Sequence, residues 1–543
     1  MAQAIPDGRD GLRQRGHSRA LLALGIAIIW TCSCSGVSLP LADILEVIFK
    51  PAKVTKGPYL LRVYQDRAAI TWETDSQGAC RLYYGEPGKT KSLIKSLGQQ
   101  VSYEVDEGKA TKAVFIHKVW LDDLEPGLTY SYRIEGGGLR SKTYQFRTVP
   151  EQTDEVKFVT YSNSRIDAKI HRKLIELIIK KRPDFVVNVG DLVTDGDDYS
   201  QWSAQFFDPL KGLSESVPVY TAKGNRDGSK GNYEMLLVPD GEENNFSFDW
   251  GPVHYFCADN VSGYVNEQVL LGLISTDAQT NRATWKFVSY HLPSVNFGGH
   301  WSHWAQPNAL PALAGAGVDL VITGHSPQYE RFWPIEPPEG NKGSYITCIT
   351  MGSGGPLYDI TPCTYYACAK SVHHFCFFHI KGNTLTMDAI GVDDRVIDHL
   401  EITKDDGWLN KSYLWTAVPM NAVMLHQHLH DTAASPLAAT PNKGQLFTVA
   451  YKTKIEGIGE PINMTFQLRS DEGAYELAKA KSISVPKEGG DVEIELTATP
   501  LVDVTLAIDK ADGGTPIMPP LWIDCHYELG RVGETMTWPV TEK

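Results

Sequence analysis

Five short polar motifs hold the side chains of this sequence that could do chemistry. In chain order they are Ser162-Asn163-Ser164-Arg165, Gly190-Asp191, Gly224-Asn225-Arg226-Asp227, His291-Leu292-Pro293 and Gly324-His325-Ser326-Pro327. Carboxylate and imidazole groups are common ligands of divalent metal ions, and arginine binds phosphate as a planar, permanently charged fork. The motifs therefore indicate a metal or phosphate site, provided that the fold brings them together.

Each motif follows an apolar run that is typical of a β-strand. The runs cover residues 158–161, 185–189, 217–220, 287–290 and 319–323. Between the first two, Ile170, Leu174 and Ile178 recur at helical spacing, and Pro183 marks the end of that helix. Strands alternating with helices predict a layered α/β domain, in which ligands bind outside the carboxyl ends of the strands. The five motifs should then converge on one crevice.

The order and content of these motifs resemble those of the calcineurin-like metallophosphoesterases, and within them the purple acid phosphatase branch, over about residues 55–402. The resemblance implies an α+β or α/β fold for residues 155–402, a four-layer β-sandwich flanked by helices. In that family two metal ions share a bridging Asp, whose place is taken here by Asp191.

The resemblance supplies a complete ligand set for one of the two ions. That set is Asp191, Asn225, His291 and His325. Oxygen and nitrogen donors of these types suit a divalent transition metal such as Zn, Mn or Fe. We expect one such ion.

The second ion position lacks its ligands. Asn163 stands where the family has an Asp, and Arg165 stands where many relatives have a His or Tyr ligand. Pro327, which has no side-chain donor, replaces the second His of the family's Gly-His-x-His. We predict that the second position is empty.

The residues that would handle substrate also depart from the family. Arg226 replaces a His that binds the phosphoryl group and protonates the leaving oxygen; arginine can bind phosphate but is a poor proton donor. The nearest candidates for a general acid are His300 and His303, and His300 lies about where relatives place a substrate-contacting His. The predicted catalytic residues are Arg226 and His300, and the predicted substrate-binding residues are Arg165, Arg226 and His300.

Two functions remain open at this stage. In the first, the chain is a divergent, one-metal hydrolase of phosphoesters, in which Arg165 and Arg226 replace the charge of the missing ion. In the second, it is a non-catalytic protein that binds phosphate or a phosphorylated glycan. The net charge of −14 argues against a nucleic-acid partner.

Residues 1–36 have the composition of an export signal. Four arginines precede the apolar stretch 21–30, which is too short to span a bilayer and is followed by small residues. Cys32 or Cys34 could be the acylated cysteine of a lipoprotein, so a lipid anchor is the one membrane attachment considered. We expect an exported protein that is periplasmic, at the cell surface or secreted.

Two further modules flank the central domain. Residues 54–150 predict a β-sandwich, and Leu124 to Tyr132 resembles the tyrosine-corner turn of fibronectin type III modules. Alternating runs at 462–468, 492–496 and 504–508 predict a second, smaller β-sandwich within residues 411–543. We assign no chemistry to either module.

Three local patterns complete the predictions. The Gly-rich stretch Gly352 to Tyr358 is interpreted as a tightly packed turn, and residues 375–390 as a β-hairpin. Cys363 and Cys368 are the pair expected to form a disulfide. His426, His428 and His430 belong either to a solvated linker or to a strand whose one face could hold a metal.

Overall fold

The structure is a computed structural model. It describes residues 52–541 except for the gaps 77–78, 97, 105–110, 137, 264–265, 301, 303, 338–343, 406–407, 415, 431, 433–434, 438–440, 471–473, 502–519 and 530–531. The predicted export signal, Cys32, Cys34, His303 and the run 504–508 lie outside the described residues. Within those residues, no helix has both the length and the apolar character that a membrane crossing requires.

The amino-terminal module consists of two β-sheets. One has the strand order Val54–Val63, Ala68–Thr74, Thr111–Leu121, Gln99–Glu104, and the other joins Lys89–Ser96, Cys80–Glu86, Thr129–Gly136, Leu139–Arg140 and Tyr144–Arg147. Trp72, Leu82 and Tyr132 are buried in their shared core, as expected. The backbone N–H of Glu125 donates to the Tyr130 hydroxyl at 2.8 Å, which is the hydrogen bond of a tyrosine corner.

The central region contains two seven-stranded sheets that face each other. The first has the order Val219–Thr221, Phe185–Asn188, Glu155–Tyr161, His374–Lys381, Thr384–Gly391, Val396–Asp405, Trp408–Leu409. The second has the order Phe246–Trp250, Val253–Cys257, Trp285–Tyr290, Leu320–Thr323, Thr347–Thr350, Tyr329–Phe332, Tyr366–Lys370. The expected hairpin is the antiparallel pair that begins at His374 and Thr384.

Aromatic side chains fill the space between the two central sheets. The Phe158 ring lies 4.7 Å from that of Phe378 in its own sheet and 5.2 Å, edge to face, from that of Phe287 in the other. Rings at these separations attract one another in addition to burying apolar area. Because this packing fixes one sheet on the other, it also fixes the motifs of one sheet relative to those of the other.

Helices cover the outer faces of the central sheets. The predicted helix is Ala168–Lys181, begun by the Asp167 carboxylate, which accepts from the backbone N–H groups of Lys169 and Ile170. It joins two strands that are parallel, as predicted. The other helical segments are Tyr199–Gln201, the π-helix Trp202–Phe207, Asp208–Leu210, Asn232–Leu237, Glu267–Thr280, Ala309–Gly315, Lys411–Leu414 and Met420–His430.

The carboxyl-terminal strands form a three-stranded and a four-stranded sheet. The first has the order Phe447–Glu456, Gly489–Pro500, Tyr475–Leu477, and the second the order Lys481–Val485, Ile462–Arg469, Trp522–Leu529, Val532–Pro539. A two-stranded sheet pairs Ile335–Glu336, from within the central region, with Val418–Pro419, which follows that region in the chain.

Both interpretations of the histidine triplet are wrong, because these residues lie on the helix Met420–His430. A helix places residues four apart on one face, so the alternation in sequence does not align all three rings. The His426 Nδ1 contacts the Tyr527 hydroxyl at 2.8 Å, whereas the His428 Nε2 contacts the Thr453 hydroxyl at 2.9 Å. The rings are part of the packing of this helix against different strands.

The predicted disulfide is also absent, since Cys363 and Cys368 are both free thiols. The Cys363 Sγ lies 3.7 Å from the His426 Nε2 and accepts from the Tyr365 N–H, while the Cys368 Sγ faces the Ile397 carbonyl. The two sulfurs are thus held by different partners, and a bridge would require the backbone to move.

We therefore expect both thiols to react with an alkylating reagent when the chain is denatured without a reductant. Peptide mass mapping checks this result, with a sample reduced before alkylation as the control. Recovery of Cys363 and Cys368 in one peptide that is 2 Da lighter and unalkylated would contradict it; the mass lost is that of the two thiol hydrogens.

Candidate metal and phosphate site

The five motifs meet at one end of the two central sheets. Asn163, Asp191 and Asn225 follow three parallel strands of the first sheet, and His291 and His325 follow two parallel strands of the second. Parallel strands present their carboxyl ends at the same edge of a sheet. The predicted convergence is thus achieved across two sheets.

The donor atoms of the predicted ligand set lie close together. The His291 Nε2 is 3.2 Å from the Asp191 Oδ1 and 3.1 Å from the Asn225 Oδ1, and the His325 Nδ1 is 3.0 Å from the same Asn225 oxygen. Ligands that bind one ion at 2.0–2.2 Å lie about 3.0–3.5 Å from each other. These spacings fit a single divalent ion.

Asn225 is the member of the ligand set that contacts both histidines. Among the described residues, no three His, Cys, Asp or Glu side chains form a metal-binding group by themselves. The His325 Nδ1 contacts the Asn225 amide oxygen, which also contacts His291, and the His325 ring lies 5.4 Å from that of His291. The fit of the site to an ion consequently depends on this exposed asparagine.

Backbone contacts orient the two histidines. The His291 Nδ1 donates to the Val189 carbonyl at 2.7 Å, which leaves Nε2 facing the other ligands. Asn260 fixes the same loop, because its Oδ1 accepts from the backbone N–H groups of His291 and Leu292 at 3.1 Å.

The protonation state of His325 suits a metal ligand. Burial, with the positive charge of His291 and His300, lowers the pKa of His325 to about 3, so that its ring is neutral and can act as a ligand.

The Asp191 carboxylate has a different partner on each oxygen. Oδ1 faces His291 and accepts from the Arg226 backbone N–H at 3.0 Å, while Oδ2 forms a 2.9 Å ion pair with the Arg165 Nε. Burial raises the pKa of Asp191, but these positive groups outweigh it and lower the pKa to about 2. The carboxylate is therefore charged at any ordinary pH.

The second ion position does not fit a cation. The buried Arg165 guanidinium occupies the side of Asp191 that would face a second ion, and Pro327 offers no donor. The Asn163 amide donates to the Met351 carbonyl at 3.0 Å, leaving its oxygen as a single neutral donor, buried and without a hydrogen-bond partner. One neutral oxygen beside a guanidinium cannot hold a divalent ion.

The predicted substrate groups surround this centre. The Arg226 side chain is exposed beside a cleft of about 600 Å³, whose lining includes Asn225, Thr194 and Ser262. The His300 ring lies 4.2 Å from that of His325, and burial together with Arg165 and Arg226 lowers its pKa. Arg165, predicted to bind substrate, has Asp191 as its first partner; only its Nη groups are left to face an anion.

One functional residue was missed although its motif was identified. Asp227 is fully buried, and its carboxylate accepts from the backbone N–H groups of Asp191, Leu192 and Gly224 at 3.0, 2.7 and 2.7 Å. It thereby ties two ligand loops together and holds Asp191 at a φ of 57°, a conformation that is unfavourable for residues other than glycine. Its position two residues after Asn225 was the available signal.

Comparisons with known proteins identify two domain families in this chain. Residues 168–329 match the family model described as calcineurin-like phosphoesterase, and residues 60–148 match the model described as the N-terminal domain of purple acid phosphatase. The first match begins after the motif that contains Asn163 and Arg165, at which the chain departs from the family pattern.

Individual relatives are distant. Purple acid phosphatase 21 of Arabidopsis thaliana is 25% identical over 313 residues, which cover 54% of this chain and 69% of that protein. Acid phosphatase type 7 of Homo sapiens is 24% identical over 338 residues, covering 54% and 76%. The structure of purple acid phosphatase PPD1 from yellow lupin (Lupinus luteus) seeds aligns with a TM-score of 0.54 at 16% identity, covering 70% of this chain and 77% of that one, and so shares the fold.

Proposed function

Because this chain carries a calcineurin-like metallophosphoesterase domain behind a purple acid phosphatase N-terminal domain, we propose that it is a phosphoester hydrolase that works with one divalent metal ion. The observation that supports a single ion is that the two carboxylate oxygens of Asp191 have different partners. One oxygen lies with His291 and Asn225, and the other is paired with Arg165. Asp191, Asn225, His291 and His325 would hold the ion.

An ion bound to these residues would lower the pKa of a bound water and so supply the nucleophile. The chain's own residues would bind and orient the ester. Arg226, exposed in the cleft, and the Nη groups of Arg165 provide the local positive charge that a dianionic phosphate needs in a chain of net charge −14. The charges of both arginines lower the pKa of His300, which supports a role for that ring near the same phosphoryl group.

His300 is proposed to serve the leaving group. Its backbone N–H is held by the Ser326 hydroxyl at 3.3 Å, and its ring packs on His325. No arginine can give up a proton at ordinary pH, so the protonated His300 ring is the group proposed to protonate a leaving oxygen. Because the pKa of His300 is lowered, this role requires acidic pH.

The rest of the chain is proposed to serve export and spacing. Residues 1–36 would direct export to the periplasm, the cell surface or the medium, and residues 54–150, 155–402 and 411–543 would form the fibronectin-like, catalytic and terminal β-sandwich domains. The outer two domains contribute no predicted ligand.

The test is elemental analysis of the purified chain together with a phosphoester assay. We expect about one equivalent of Zn, Mn or Fe, and hydrolysis of p-nitrophenyl phosphate that chelation abolishes and added metal restores. Two equivalents of metal would contradict the single ion. A folded chain without metal and without turnover on either p-nitrophenyl phosphate or its bis-ester would contradict hydrolysis and favour a phosphate-binding role.

A further inference from the structure

Three large apolar side chains are exposed on loops beside the site. Ile166 follows Arg165 directly and is 52% exposed, and Leu357 and Tyr358, at the end of the Gly-rich stretch, are 36% and 38% exposed. We call these three residues the apolar rim. Large apolar side chains that stay exposed beside a polar site are candidates for binding the apolar part of a ligand.

The two loops that carry the apolar rim are joined by their backbones. The N–H of Ser353 donates to the Ser162 carbonyl at 2.8 Å, and the N–H of Gly354 donates to the Asn163 carbonyl at 2.9 Å. A Cβ on Gly354 would lie 3.1 Å from the Ser164 Cα, so glycine permits this close approach. The Gly-rich stretch thus sits on the first motif, as its interpretation as a packed turn predicts.

Tyr358 is also connected to the ligand set through aromatic rings. Its ring lies 6.3 Å from that of His300 and nearly parallel to it, at 16°, and the His300 ring lies 4.2 Å from that of His325. A Cβ on Gly299 would come within 2.7 Å of the Tyr358 Cβ, which shows how tightly this tyrosine packs beside the loop of His300. These contacts hold Tyr358 in place while leaving part of its ring exposed.

Ile166 holds an unfavourable backbone conformation at this place. Its φ is 76°, in the left-handed region that β-branched residues strongly avoid. Strain of this kind is found where function requires a particular side chain, because a glycine or asparagine would relieve it. Ile166 is exposed, has a strained backbone and follows a site arginine, and from these features we infer that its side chain contacts a ligand.

We propose that the apolar rim and His300 bind an aromatic group on the alcohol side of the phosphoester, while Arg165 and Arg226 bind its phosphoryl group. This inference rests on the proposed function for the phosphoryl position. The flat faces of Tyr358 and His300 favour a planar ring over an aliphatic group of equal size, because ring pairs attract each other beyond the area they bury. The preferred substrates are accordingly phosphoesters with an aromatic substituent close to the ester oxygen.

The test uses three esters that share one reaction centre: ethyl, 2-cyclohexylethyl and 2-phenylethyl phosphate. All three release a primary alcohol, so differences in kcat/KM report binding of the remote group. For the full chain we expect 2-phenylethyl phosphate to exceed its cyclohexyl counterpart by about 3- to 10-fold. Tyr358→Ala should abolish that advantage, and Tyr358→Phe should keep it.

Binding of the corresponding phosphonates separates this inference from the proposed function. By calorimetry, 2-phenylethylphosphonate should bind more tightly than 2-cyclohexylethylphosphonate, and Tyr358→Ala or Ile166→Ser should weaken the aromatic ligand selectively. If neither p-nitrophenyl phosphate, nor its bis-ester, nor these esters are hydrolysed but this binding pattern holds, hydrolysis is refuted and the aromatic subsite stands. Equal affinities for the two phosphonates, or affinities unchanged by Tyr358→Ala, would overturn the subsite whether or not the chain is a hydrolase.

Discussion

Asn225→Ala is expected to remove both the metal and the activity while leaving the fold intact. Asn225 supplies the oxygen that contacts both His291 and His325, and its loss would leave the proposed ion with three protein ligands instead of four. Changing residues that only support metal ligands costs about 10- to 100-fold in affinity or activity, so loss of a ligand should exceed 100-fold. Metal content and kcat/KM for p-nitrophenyl phosphate measure the effect.

The matched control is Asn225→Asp, which keeps an oxygen donor at the same place and should retain the metal. Because Asn225 is exposed, the free energy of unfolding of both variants should stay within about 0.5 kcal/mol of the parent chain. If Asn225→Ala retained its metal and its activity, the assignment of the site would be wrong. A large loss of stability in Asn225→Ala would instead show that this residue holds the fold.

The convergence of the proposed ligand set could be predicted from the sequence because ligand types and strand ends are local features. A polar residue at the end of an apolar run can be read directly, and Asp191, Asn225, His291 and His325 do converge. The sequence could not predict that the first three motifs follow strands of one sheet and the last two follow strands of another. This arrangement depends on ring packing such as that of Phe158 against Phe287, residues 129 positions apart in the chain.

The role of Arg165 shows a second limit. Its charge indicated a phosphate ligand, and the structure pairs its Nε with Asp191 instead. A guanidinium that can reach a buried carboxylate is stabilised more by that ion pair than by remaining unpaired in solvent until an anion binds. The sequence predicts that the second ion position lacks its ligands, whereas only the structure shows that the Arg165 guanidinium pairs with Asp191.

The incorrect predictions share one cause. The histidine triplet and the cysteine pair were judged from spacing along the chain, but their partners are distant in sequence. Tyr527 contacts His426, and Ile397 contacts Cys368. A helix of 11 residues with histidines on more than one side has weak amphipathic character, so its sequence pattern alone did not reveal it.

Asp227→Ala is expected to destabilise the chain by about 3–5 kcal/mol and to weaken metal binding at the same time. The substitution leaves the backbone N–H groups of Asp191, Leu192 and Gly224 without an acceptor, and each unsatisfied buried group costs about 1–3 kcal/mol. It also frees Asp191 from the restraint on its left-handed backbone conformation. Denaturant unfolding and metal titration measure the two effects.

Asp319→Ala distinguishes a specific effect on the site from general loss of stability. Asp319 is equally buried and accepts from the Lys286 N–H and from Lys404, but it lies at the amino end of the strand whose carboxyl end leads to His325. Its replacement should also lower the free energy of unfolding, because it leaves the half-buried Lys404 without its ion-pair partner. Metal affinity of the folded chain should be unchanged. Equal losses of metal affinity in the two variants would mean that Asp227 acts only through stability. A loss confined to Asp227→Ala would show that the hydrogen bonds of its carboxylate set the geometry of the ligand loops.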